Sequence, residues 1–87
     1  MVKCLMVWWW KGKDAREVTK RFRNWKPKGD VKFYFPIHTI MGERRAFCVV
    51  EVDNIETLAR NLSDWTDICT YDISPIMDSV EYLKLLA

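Results

Sequence analysis

Residues 2–10 read VKCLMVWWW, and this run constrains the fold more than any other. Its β-branched and aromatic residues suit a strand, and it stops at Lys11-Gly12-Lys13, a polar break with a flexible glycine. Alternate side chains of a strand point to opposite faces, so Trp8 and Trp10 share a side with Cys4 and Met6, while Trp9 shares the other with Leu5 and Val7. Both sides are apolar. A sheet with one wet face would show a polar residue at every second position, so a sheet built on this strand requires cover on both faces.

The size of the chain sharpens that requirement. Its 87 residues make one domain, 1–87, near the limit at which a single hydrophobic core suffices. Yet 49% of the residues are apolar and five are Trp, more than so small an interior hides easily. Oligomerisation is the expected source of the missing cover.

The rest of the chain alternates strand and helix signals. Ala15, Val18, Phe22 and Trp25 recur at three- and four-residue steps with Arg16, Lys20, Arg21 and Arg23 opposite, the pattern of an amphipathic helix. Lys26–Asp30 is a loop. Val31–Ile40 is a strand whose Pro36 calls for an edge position, and Met41-Gly42-Glu43 turns it into a strand over Arg45–Val52. A second helix opens at Asp53-Asn54, with Ile55, Leu58, Ala59 and Leu62 on one face. A fourth strand runs over Asp67–Ile76, and a closing helix starts at Asp78 with Val80, Leu83 and Leu86. Asp14/Glu17, Asp53/Glu56 and Asp78/Glu81 share the acid-x-x-Glu spacing of helix starts. The order βαββαβ plus a helix, with short connections, predicts an α+β ferredoxin-like fold: a four-stranded antiparallel sheet with helices on one face.

Charge and cysteine content exclude several function classes. Residues 1–42 carry ten Lys and Arg against three acids, and residues 43–87 carry four against nine. The halves are expected to complement each other within the domain or across a dimer. A pI near 8.5 falls short of a nucleic-acid footprint. Cys4, Cys48 and Cys69 are odd in number, far apart and set among apolar neighbours, which reads as reduced core thiol in a cytoplasmic protein. No metal-ligand spacing, phosphate loop or nucleophile elbow is present. Cys4–Trp10 is too short to span a bilayer and lacks the pattern of a signal peptide, so no membrane partner is expected.

A hairpin centred near Gly42 would place His38 opposite Phe47, Pro36 opposite Val49 and Tyr34 opposite Glu51 on one face. Phe33, Phe35, Ile37, Cys48, Val50 and Val52 would then form the helix-facing core. The first set, with Trp8 and Trp10 assigned beside it, has the texture of a pocket or an interface. The expected ligand-facing residues are thus Trp8, Trp10, Tyr34, His38, Phe47 and Glu51. His38 and Glu51 are the candidate acid/base pair. Arg44-Arg45 offers a weaker anion grip.

The Trp-x-Trp of the first strand followed by Lys and Gly, His38 late in the second, the run GERRAFCVVEVD and the stretch LSDWTDICTYDISPIMD resemble the small archaeal and bacterial proteins grouped as domain of unknown function 3303. Trp9 departs from that pattern, where a smaller or polar residue is expected. The resemblance implies the dimeric α+β barrel superfamily, in which two ferredoxin-like sheets pack face to face. It implies no established activity. Some members of the wider superfamily bind haem, but one His without a further ligand signal does not define a haem site, and no cofactor is expected. The expectation is a homodimer paired through the open sheet face that binds a small planar organic molecule in a sheet-lined cavity. The alternatives are a cofactor-independent oxygenase-like or isomerase-like enzyme using His38 and Glu51, and an RNA-binding sheet of the RRM kind. The latter is disfavoured because the third strand lacks the glycine and flanking aromatics of that pattern.

Overall fold

The computed structural model describes residues 1–87. In chain order it contains β1 (Val2–Trp10), a 3-10 turn (Gly12–Asp14), α1 (Ala15–Asn24), β2 (Val31–Ile40), β3 (Arg45–Val52), α2 (Ile55–Leu62), β4 (Cys69–Pro75) and α3 (Ser79–Leu86). The strands form one sheet in the order β2-β3-β1-β4, with every neighbouring pair antiparallel. This is the ferredoxin-like topology, and Pro36 lies on an edge strand, where a missing amide hydrogen is tolerated.

Three acids were expected at helix starts, and they behave differently. Asp78 caps α3, accepting from the amides of Val80 and Glu81. At α2 the cap is Asn54, which accepts from the Thr57 amide at 2.9 Å, while Asp53 accepts from the Asn54 amide. Asp14 makes no capping bond, because the 3-10 turn before it already delivers helical backbone (φ −98°, ψ −2°). β4 begins at Cys69 rather than Asp67, since the amides of Ile68 and Cys69 still turn back to the Trp65 carbonyl.

Cross-strand pairing sets which face is buried. Cys4 lies opposite Val50 and Met6 opposite Cys48, so the even-numbered residues of β1 and β3 share a face. That face meets the helices: Cys4, Met6, Cys48, Val50, Val52 and Leu58 form the main core, and Val18, Trp65 and Cys69 form a second cluster. Trp8 packs against both clusters and Trp10 against the second. The two tryptophans therefore lie under the helices, not on the open face where the sequence reading placed them. Parity between strands that are distant in sequence comes from pairing and is not encoded locally.

The hairpin register holds near the turn and slips beyond it. His38 lies opposite Phe47, as expected, but Phe35 lies opposite Val49 and Lys32 opposite Glu51, with irregularities between Phe33 and Phe35 and between Phe35 and His38. Pro36 cannot donate to the ladder, and a bulge there flips parity locally. Phe35 consequently leaves the core set and stacks on Phe47 on the open face, with centroids 5.4 Å apart and planes at 13°. The turn itself is eased by Gly42 at φ +84°.

Candidate functional site

Between the sheet and its two helices lies a cavity of about 280 Å³ lined by 20 residues, 17 of them hydrophobic. Met6, Trp8, Trp10, Cys48 and Val50 form its floor, Val18, Phe22, Leu58 and Leu62 its roof, and Trp25, Trp65 and Tyr71 its walls. The aromatic walls brace one another. Trp8 and Tyr71 lie 5.7 Å apart, and Trp25 meets Trp65 edge-on at 6.0 Å and 69°. Each large side chain thereby keeps a fixed orientation toward the cavity.

Polar latches close the roof. Arg21 of α1 holds Asp67 with two 2.7 Å bonds, donates to Glu17 at 2.9 Å and reaches the Asp64 carbonyl at 3.1 Å. Asp64 accepts from the Trp25 indole and the Lys28 ammonium, each at 2.9 Å. Asn61 ties the loop to α2 by accepting from the Lys28 amide and donating to its carbonyl. These bonds join the basic first half of the chain to the acidic second half within the domain. Hydrogen bonding by Lys28 and then Trp25 holds the Asp64 carboxyl below its ordinary 3.8, and Arg21 does the same for Asp67.

The lining is almost wholly apolar. Three polar side chains border the cavity: Thr19, Thr39 and Asn61. Thr19 is engaged with the Ala15 carbonyl and Asn61 with Lys28 and Thr57. Burial pushes the Cys48 thiol up to about 12, and the Tyr71 hydroxyl also up, so both stay protonated at neutral pH. A protonated thiol is a poor nucleophile, and no ionised group reaches the cavity wall. Nor do His, Cys, Asp and Glu cluster anywhere in the metal-holding groups of three or more.

The other four residues singled out in the sequence lie on the opposite face. His38 sits in an aromatic stack with Phe35 (4.5 Å) and Phe47 (6.0 Å), and its Nδ1 lies 2.7 Å from the Pro36 carbonyl. A carbonyl can only accept, so Nδ1 is the donor in that bond. Glu51 stands between Lys3 and Lys32 in the ladder and accepts from the Tyr34 hydroxyl at 3.3 Å. Both ammonium groups also lie over the Tyr34 ring, at 4.7 and 4.5 Å. Since Phe47, the partner of His38, is four residues from Glu51 on β3, the imidazole and carboxylate are separated by about 13 Å along the strand. The structure does not bring them together.

Sequence reasoning missed the latches and most of the cavity wall. Trp25, Trp65 and Tyr71 were visible as large apolar residues, but nothing local says that they meet.

Fold and cavity together define an α+β protein of ferredoxin-like topology with an aromatic chamber under its helices. Residues 2–87 match the model of the family described as Domain of unknown function (DUF3303), and the chain belongs to that family. No curated protein matches it in sequence. No helix is long and apolar enough to cross a membrane.

Proposed function

We propose that this protein is a homodimeric binder of a small, planar, largely apolar organic molecule, held in the chamber beneath its helices. The observation that carries the reading is the chamber itself: about 280 Å³, close to the lower end of ligand-pocket volumes, lined by Trp8, Trp10, Trp25, Trp65 and Tyr71 and free of ionised groups. Aromatic faces favour a flat partner by stacking, and an uncharged lining favours an uncharged one. Catalysis by His38 and Glu51 is the less favoured alternative, because their separation exceeds any direct proton transfer.

Dimerisation is assigned to the open face. β4 shows what a wet face looks like, with Thr70, Asp72 and Ser74 pointing away from the helices. The central strands β1 and β3 instead turn Leu5, Val7, Trp9, Phe47 and Val49 outward. A second copy would cover this strip as sheets pack face to face, and nucleic acid is disfavoured there. Three buried, reduced thiols suit a cytoplasmic location.

Titration with 1-aminoanthracene, a flat apolar fluorophore, tests the binding claim through energy transfer from tryptophan. One probe per chain with micromolar affinity is expected, weakened at least tenfold by Trp10→Ala and unchanged by Phe47→Ser on the other face. Absence of saturable binding, or equal binding by both variants, would overturn it.

A further inference from the structure

Every residue of α3 is exposed, and its apolar side chains face solvent nearly all round. Val80, Leu83, Leu85 and Leu86 are 62, 63, 71 and 64% exposed, and Tyr82 is half exposed. At about 100° per residue these five cover an arc of roughly 220°, more than twice the stripe that a helix resting on one surface needs. The remaining strip holds Glu81 and Lys84, which pair with each other at 3.1 Å. Eight residues cannot sustain a helix in water on backbone bonding alone. α3 therefore requires cover on more than one side, and residues 1–78 leave every one of its residues exposed.

The chain also holds α3 away from its own sheet. The Ile76 amide donates to the Lys3 carbonyl at 2.9 Å, so only Met77 and Asp78 separate that anchor from the helix. Strands of nine or ten residues run about 30 Å and an eight-residue helix adds about 12 Å. The longest dimension of the molecule is 49 Å against 28 and 18 Å, so α3 extends past the end of the sheet. The radius of gyration is 14.3 Å, where a compact chain of this length has about 12 Å. Exposed area is 6415 Å², against about 5400 Å² for a monomer of this mass. The excess of about 1000 Å² per chain, taken over two chains, is the size of a stable protein interface.

We infer that α3 is an arm that docks on a second copy of this chain, its apolar arc wedged against the rim of the paired sheets. The inference rests on the homodimer reading above and adds an element to that interface. The paired Glu81 and Lys84 leave the helix without the basic face that would draw it to an anionic lipid surface.

Amide hydrogen exchange over residues 76–87 tests the arm, measured on the full chain across a dilution series in which light scattering reports subunit number. Amides of Tyr82–Leu86 are expected to be at least tenfold protected in the dimer and to lose that protection on dilution to monomer. The double variant Leu83→Asp with Leu86→Asp should raise the dimer dissociation constant at least tenfold while leaving the exchange of β1 and β3 amides in the monomer unchanged. A dimer with unprotected α3 and an unaffected double variant overturns the arm and leaves the sheet pairing standing. Protection independent of concentration places α3 on its own chain and overturns the arm as well. A chain that stays monomeric throughout overturns the dimer reading, and the arm with it.

Discussion

On the helix side of the sheet, Cys4, Cys48, Val50 and Val52 are each 3% exposed or less, whereas on the other side Leu5 and Phe35 are 37 and 41% exposed. The central strands β1 and β3 supply all of these but Phe35, which comes from the edge strand β2, and both sets are apolar. The difference lies in what closes them. One side is roofed by α1 and α2, which Arg21, Trp25 and Lys28 fasten to Asp64 and Asp67; the other has no cover within the chain, which is why we assign a second copy to it. An apolar sheet face is thus an instruction to be covered, and the chain carries two such instructions but only one roof.

That contrast can be broken most severely at Trp65, which is 7% exposed and joins the second core cluster to the chamber wall. Trp65→Ala should cost about 3–5 kcal/mol in urea unfolding, and Trp65→Phe, which keeps a ring, clearly less. A small loss for Trp65→Ala would show that the roof is not fastened where the structure places it. On the opposite face, Phe47→Glu should raise the dimer dissociation constant about 100-fold, as an unpaired carboxylate resists burial, with little change in monomer stability. Sedimentation velocity distinguishes the two effects.

Weaker perturbations sharpen the comparison. Arg21→Gln, which removes the bidentate bond to Asp67, should lower the melting temperature only slightly, as solvent screens this pair, and speed probe release from the chamber, read by stopped-flow fluorescence, without altering dimer affinity. The latch carboxylates also predict an acid limb. Because the folded state holds Asp64 and Asp67 below 3.8, their contribution is fully present above about pH 5 and is lost as pH falls through the depressed folded values. Thermal melts from pH 6 to pH 2 should show this loss in the wild type and a shallower one in Asp67→Asn. The smallest effect concerns the thiols: burial raises Cys4, and puts Cys48 at about 12 and Cys69 at about 11. Ellman's reagent should label none of them at pH 7 until the chain is unfolded.

Much of the fold was legible because its signals are local. The β-branched and aromatic run of β1, the glycine turn at Gly42, the edge proline and the Asp78 cap each act within a few residues. What was not legible depends on partners distant in sequence. Pairing of Cys4 with Val50 decides that Trp8 and Trp10 face the helices, and the irregularity beside Pro36 sends Phe35 outward. Arg21 and Asp67 announce their charges, but 46 residues separate them, and only the packed domain makes them a clasp. The site followed the same division. His38 and Phe47 were placed together correctly from the turn, and Tyr34 does reach Glu51 through its hydroxyl, but the ladder partner of Glu51 is Lys32, and His38 is not brought to it.

The most direct test of the central claim, a sheet covered on one face by its own helices and on the other by a second copy, is native mass spectrometry of gently purified protein. The account predicts a species at twice the 10.4 kDa chain mass, carrying up to one small organic adduct per chain. A bare 10.4 kDa species at micromolar concentration would contradict it and leave Leu5, Trp9, Phe47 and Val49 without the cover assigned to them.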